Sequence, residues 1–85
     1  MQAELIYNPS GGQVVIRHIL SDVVAFLGRC GWTVNLHETT RPMEATDIAR
    51  RAANKGTKVV ISAGGDGTVN EVANGLVYSE TLLGV

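Results

Sequence analysis

Three glycines, a carboxylate and a hydroxyl occupy five consecutive positions: Gly64, Gly65, Asp66, Gly67 and Thr68. The residues before them form a short apolar, β-branched run and those after them repeat at helical spacing, which predicts a strand-to-helix turn with the threonine opening the helix. The first turn of a helix has free N–H groups and a partial positive charge, and glycines let a phosphate approach both. A carboxylate beside phosphates repels them unless a metal ion lies between or it accepts a hydroxyl proton, so this loop indicates phosphoryl chemistry.

Two further loops carry residues that could contact the same ligand. The run Asn8, Pro9, Ser10, Gly11, Gly12 follows the first predicted strand, and Thr39 begins the loop after the second. Taken alone, each loop is an ordinary turn, because proline fixes φ, asparagine caps and glycine adopts unusual dihedrals. Beside the later glycine loop, they favour one ligand site at the carboxyl ends of neighbouring strands.

In order and spacing, the three segments resemble the diacylglycerol kinase catalytic domain family, lipid kinases that include bacterial diacylglycerol kinases and the sphingosine and ceramide kinases. Residues 5–12 resemble the family's opening strand and Asn-Pro-x-Ser-Gly loop, and residues 39–45 resemble its second nucleotide-contacting loop. Residues 64–76 resemble its Gly-Gly-Asp-Gly-Thr-x-Asn-Glu-Val helix start. The chain departs from the pattern in two places, because Ser10 follows the proline directly and Met43 stands where glycine is common.

The resemblance implies transfer of the γ-phosphoryl group of ATP to a lipid hydroxyl such as that of diacylglycerol, with Mg²⁺ offsetting the phosphate charge. It assigns nucleotide binding to the three loops, and phosphate binding to the N–H groups of residues 67–70 and the Thr68 hydroxyl. Val69 and Asn70 join the nucleotide site, Glu71 supports it, and Asp66 joins a metal or water network. The family's catalytic base, metal ligands and lipid site belong to a second, β-rich domain, which would also make any peripheral membrane contact. Residues 1–85 are therefore expected to be the amino-terminal part of the ATP-binding kinase domain, inactive alone.

Two other enzyme classes, the NAD kinases and the phosphofructokinases, share the Gly-Gly-Asp-Gly sequence. NAD kinases have bulky apolar and small residues after the threonine, and phosphofructokinases usually have serine in its place. Here Thr68 is followed by Val-Asn-Glu-Val, as in the lipid kinases. An NAD kinase-like enzyme and a non-catalytic nucleotide-binding fragment are the two alternatives.

The composition is typical of a globular domain. The net charge is −1, and the seven Lys and Arg residues form no run of four, so binding to nucleic acid or capture by an anionic membrane is not indicated. No segment approaches the roughly 20 apolar residues of a membrane span, and the start lacks a signal-like pattern, so a cytoplasmic location is expected. The single cysteine, Cys30, is expected to be half-buried. Neither His18 nor His37 has a further ligand at zinc spacing.

Strands and helices are predicted to alternate along the whole chain. Strands are predicted at 3–7, 33–38, 58–62 and from 82, and helices at 13–30, 44–54 and 68–78. Helical crossovers of this length join parallel strands, so the fold class is α/β, an open, mostly parallel sheet with helices on both faces. The first helix is expected to present a broad apolar face that comprises Val15, Ile16, Ile19, Leu20, Val23, Phe26 and Leu27. The last strand is expected to leave an open edge and to favour self-association.

Overall fold

The computed structural model describes residues 1–9 and 13–84, with only the main chain for residues 13–16. The elements are β1 (Gln2–Tyr7), α1 (Gln13–Arg29), β2 (Thr33–Glu38), α2 (Glu44–Asn54), β3 (Val59–Ala63), α3 (Asp66–Gly75) and β4 (Leu82–Gly84). Every predicted element is present. The one displaced helix is α3, which begins two residues earlier than expected, so that Thr68 lies inside its first turn.

The four strands form one sheet in the order β2-β1-β3-β4, and every pair is parallel. Strand β1 lies between β2 and β3, and five of its six residues are buried, as expected for a strand covered on both faces. Tyr7 is level with Glu38 of β2 and Ala63 of β3. The three strands therefore end together, and the loops that follow them begin at the same edge.

Helices cover both faces of the sheet, which confirms the predicted fold class. On one face, Leu20 of α1 packs against a buried cluster of strand residues, namely Ala3, Leu5, Tyr7 and Val34. On the other face, α2 and α3 cover Ile6 and Val60, with small alanines on α2 and two larger residues, Val72 on α3 and Leu76 directly after it. Two thin cores, one on each side of the sheet, hold the helices in place.

The broad apolar face predicted for α1 is wrong in its extent. Among the side chains that the structure describes, those of α1 that pack against the sheet are Leu20, Val24 and Leu27, whereas Val15 and Ile16 lie outside the described side chains. Ile19 and Phe26 are more than half exposed. A single helix over a sheet makes contact along one narrow stripe at i, i+4 and i+7, so apolar residues beside that stripe stay in solvent.

Cys30 is exposed rather than half-buried as expected. It lies in the turn that ends α1, directly before Gly31, whose φ of 93° belongs to the left-handed region. The thiol is therefore open to solvent.

Candidate functional site

The loops after β1, β2 and β3 border one cleft of about 410 Å³ at the carboxyl edge of the sheet. Its lining residues are Asn8, Thr39, Thr40, Arg41, Pro42, Gly65, Gly67, Thr68 and Glu71. The sequence placed all three loops at this edge, and the parallel register brings them together as expected. Ser10, Gly11 and Gly12 lie outside the described residues. Pro9 is buried at the start of the first loop.

The loop after β2 is anchored at both ends. Thr39 is 4% exposed, and both its N–H and its hydroxyl donate to the carbonyl oxygen of Tyr7, at 2.9 and 3.3 Å. The N–H of Thr40 donates to Oε1 of Glu44 at 2.8 Å, and this bond lowers the pKa of that carboxyl, with a further contribution from Arg41. The loop thus has a fixed position relative to both β1 and the start of α2.

Met43 stands at a position where glycine is common in the family that the sequence resembles. Its φ of 68° lies in the left-handed region, which glycine enters freely and other L-residues enter at a cost. Met43 is the residue directly before the first turn of α2. Methionine at this position therefore adds strain to the end of the loop.

The glycine loop ends in a helix start that differs from the expected one by two residues. Gly65 precedes α3, and its carbonyl oxygen accepts the N–H groups of Thr68 and Val69 at 3.1 and 3.2 Å. Those two donors, which were expected to bind phosphate, are therefore used by the helix itself. Asp66 and Gly67 are the first two residues of α3, where an N–H has no acceptor within a helix. The N–H groups of Asp66 and Gly67 are therefore the donors that point out of the end of the helix.

The three glycines of this loop differ in what the fold requires of them. A Cβ on Gly64 would lie 2.9 Å from Oγ1 of Thr68, so close packing excludes a side chain there. A Cβ on Gly65 or on Gly67 would meet no atom within 4 Å, and Gly65 has an ordinary φ of −83°. The fold does not require glycine at these two positions, and both border the cleft. The space they leave open is available to a ligand.

Helix α3 presents two different faces near its start. Thr68 and Glu71, which are three residues apart, face the cleft, whereas Val69 and Asn70 border a shallow hollow of about 550 Å³ together with Asp66. Sequence reasoning gave Asn70 a role at the site and left Glu71 as support, and the structure places Glu71 in the cleft. Residues at i and i+3 share a helix face, so helical spacing from Thr68 was the signal that could have identified Glu71.

Positive charge collects beside the cleft although it is scattered along the sequence. Arg41 lines the cleft and also an adjoining hollow that it shares with Arg50 and Arg51 of α2. Asp47 is the acidic side chain that borders the same hollow. Arg41 and Glu71 are the charged residues that line the cleft itself, so the excess of cations lies in the adjoining hollow, where it favours an anionic group at the edge of the cleft.

The described residues contain no group of three His, Cys, Asp or Glu side chains that could hold a metal ion by themselves. Asp66 is exposed at the start of α3 and offers one carboxylate. A single carboxylate fits Mg²⁺, which is commonly held by one or two carboxylates together with substrate phosphates and water. No helix within the described ranges is long and apolar enough to cross a bilayer.

A larger groove, of about 760 Å³, lies beside α2 over the outer strand β2. Its floor is the buried carboxylate of Glu4, which accepts a hydrogen bond from Nδ2 of Asn35 at 2.9 Å and contacts Nε2 of His37 at 3.0 Å. Both carboxylate oxygens thus have partners within the sheet. The groove has no glycine among its lining residues and none of the loops after β1 and β3, so the smaller cleft is the candidate site.

The chain matches the family model described as diacylglycerol kinase catalytic domain over residues 2–85. It is 42% identical over 74 residues to a diacylglycerol kinase of Staphylococcus haemolyticus (strain JCSC1435), covering 87% of this chain and 22% of that protein. It is 40% identical over 75 residues to a diacylglycerol kinase of Bacillus subtilis (strain 168), covering 88% and 25% respectively.

The fold resembles the crystal structure of a diacylglycerol kinase from Bacillus anthracis str. Sterne, with a TM-score of 0.78 and 30% sequence identity. That match covers 96% of this chain and 30% of the other. The chain thus spans about a quarter of the length of the curated relatives it matches.

Proposed function

Because the chain belongs to the diacylglycerol kinase catalytic domain family, we propose that residues 1–85 form the amino-terminal, ATP-binding part of a lipid kinase. The reaction is transfer of the γ-phosphoryl group of ATP to a lipid hydroxyl, with diacylglycerol as the acceptor named for the relatives. The catalytic base, further metal ligands and lipid site are proposed to lie in a second, β-rich domain outside these residues.

The observation that carries this proposal is the open space at Gly65 and Gly67, in a cleft that three loops share. Phosphates placed there would accept hydrogen bonds from the N–H groups of Asp66 and Gly67. The dipole at the start of α3 would also favour their negative charge. Thr39 and Asn8 border the same space from the other side. Asn70 and Val69 flank the helix start, where the bound nucleotide extends beyond the cleft.

Phosphoryl transfer asks the protein mainly for positioning and for neutralisation of charge. Arg41, together with the neighbouring arginines of α2, supplies positive charge at the cleft. When bound, Mg²⁺ would neutralise the phosphate oxygens, and Asp66, which begins α3 beside the cleft, would hold it or would anchor a water network there.

The test compares Gly65→Ala with Gly28→Ala in the full-length protein. A Cβ at either position meets no protein atom within 4 Å, so both variants should fold, but only the first adds a methyl group to the cleft. We expect Gly65→Ala to raise the KM for ATP at least about tenfold, which corresponds to about 1.4 kcal/mol of binding. Gly28→Ala should leave it unchanged.

The assay follows phosphorylation of diacylglycerol in detergent micelles, and circular dichroism checks the fold. A parallel reaction with NAD as the acceptor distinguishes the alternative, NAD kinase-like activity. Normal ATP kinetics in Gly65→Ala would show that the loop is only a structural turn and would contradict the proposal.

A further inference from the structure

Helices α2 and α3 lie unusually close together where they cross. A Cβ added to Gly75 of α3 would lie 2.5 Å from the carbonyl oxygen of Thr46 and 2.7 Å from Cβ of Ala49. Only a glycine on α3 and small residues on α2 allow the two backbones to approach this far. The position of α3 is therefore set by α2 as well as by the sheet.

One hydrogen bond fixes the two helices against each other. The hydroxyl of Thr46 donates to the main-chain oxygen of Glu71 at 2.7 Å. Thr46 is 2% exposed, so solvent does not compete for this bond. Among the hydrogen bonds of the described residues, it is the only one that joins α2 to α3.

This bond lies one helical turn from the phosphate end of α3. Glu71 is four residues after Gly67, and both residues border the cleft. The opposite wall of the cleft is the loop before α2, which Glu44 holds through the N–H of Thr40. Both helices thus begin at the cleft, and the contact between them sets the separation of its two walls.

We infer that Thr46 is a positioning residue, whose hydroxyl holds the start of α3 at the distance from the Thr39 loop that the phosphates of ATP require. The inference rests on the proposed nucleotide site. Glu71 is far enough from the end of α3 for its carbonyl to accept a helical hydrogen bond as well, and a carbonyl oxygen has two lone pairs. Loss of the Thr46 hydroxyl therefore leaves no unpaired carbonyl, and its main effect is a displacement of α3.

The chain offers a matched control. The hydroxyl of Thr81 donates to the main-chain oxygen of Thr57 at 2.8 Å, so it makes the same kind of bond at nearly the same length. Thr57 precedes β3 and Thr81 precedes β4, so this bond lies at the amino edge of the sheet, away from the cleft. Removal of the Thr81 hydroxyl tests the loss of a partly buried bond without movement of the nucleotide site.

The experiment measures ATP affinity and turnover for Thr46→Val, Thr46→Ser and Thr81→Val in the full-length protein. Displaced binding groups bind ATP less tightly in the ground state and in the transition state alike. We therefore expect Thr46→Val to raise the Kd and KM for ATP about three- to tenfold, with kcat within about twofold. Thr46→Ser keeps the hydroxyl and should restore both constants. Thr81→Val should lower the melting temperature but leave both constants at their wild-type values.

Wild-type ATP affinity in Thr46→Val, with only a lower melting temperature, would overturn the inference and leave the proposed function standing. A wild-type protein that binds ATP but does not phosphorylate lipid would instead contradict the proposed function, while the affinities of the variants still test the role of Thr46. If Thr46→Val does not fold, Thr46→Cys, with a similar volume and a weaker donor, takes its place under the same criteria.

Discussion

At the scale of single residues, Met43 is a position where strain can be measured. Its left-handed φ of 68° costs a non-glycine residue about 1–2 kcal/mol, and replacement by glycine would relieve this strain. Glycine also gives the unfolded chain more conformational freedom, which offsets part of the stabilisation. We therefore expect Met43→Gly to raise the free energy of unfolding by about 0.5–1 kcal/mol. Urea denaturation measures it.

Tyr78 provides the matched control for this substitution, since its φ is 64° and its side chain is fully exposed. Tyr78→Gly should stabilise by a similar amount without any effect at the cleft. A lower stability in Met43→Gly would show that the side chain contributes contacts that outweigh the strain.

Asp66 tests the assignment of charge at the helix start. Asp66→Asn removes the negative charge but keeps the volume, so it should weaken Mg²⁺-dependent turnover more than the binding of the adenine nucleotide. Asp47→Asn is the control, because Asp47 is also an acidic residue in the first turn of its helix. The measurements are kcat as a function of Mg²⁺ concentration and nucleotide Kd. Equal losses in the two variants would assign the effect to the helix dipole alone.

At the scale of elements, the strands and α2 were readable from the sequence because apolar periodicity and glycine turns agree along most of the chain. The start of α3 was not, since Gly67 has a poor helix propensity and both Asp66 and Gly67 look like loop residues. The helix begins there because a first-turn carboxylate favours the dipole and Gly65 ends the loop in an extended conformation. Its end was also misplaced, because the helix ends at Gly75, which packs against α2, three residues before the predicted end at Tyr78.

The candidate site was predictable in its loops and less so in its side chains. Residue types located the glycine loop and Thr39, and the parallel topology brought them together. The pairing of Thr46 with Glu71 and the gathering of Arg41 with Arg50 could not be read, because both depend on how α2 lies against its neighbours. Contacts between helices are a property of tertiary packing that a single sequence does not display.

An ion pair joins α1 to β2 and makes this junction sensitive to pH. Arg17 donates from Nε and one terminal nitrogen to Oε1 of Glu38, at 2.8 and 2.6 Å, and the Tyr7 hydroxyl donates to the same oxygen at 3.0 Å. The hydrogen bonds from Arg17, and then that from Tyr7, lower the pKa of Glu38 in the folded chain. A lowered pKa gives stability that is present above the unfolded value and is lost as the pH falls through the folded one.

We therefore expect Glu38→Gln to flatten the acid limb of the stability curve, so that the melting temperature falls less between neutral pH and about pH 3 than it does in the wild type. Thermal melts across this range measure the difference. Glu80→Gln, at an exposed position before β4, removes the same charge as a control and should keep the wild-type slope. Identical slopes in the wild type and both variants would mean that the pair contributes nothing to folding.

At the scale of the whole molecule, the loops of the candidate site lie at the carboxyl edge of the sheet, and β4 is one of the two outer strands. Parallel strands place the cleft at their carboxyl ends, as the general rule for open α/β sheets requires. Among the described residues, β4 pairs only with β3, so its other side presents unpaired main-chain groups. Leu82 on this strand is 66% exposed.

An apolar strand with one open side is a template for pairing with another chain, so we expect the 85-residue chain to self-associate through β4. Sedimentation velocity over a range of concentrations should show a shift from monomer to larger species. Leu82→Lys places a charge on the edge and should restore the monomer, whereas Ile19→Lys adds the same charge at an exposed position of α1 and should not. A monomer at every concentration would contradict the prediction, and equal effects of the two substitutions would place the contact elsewhere than β4.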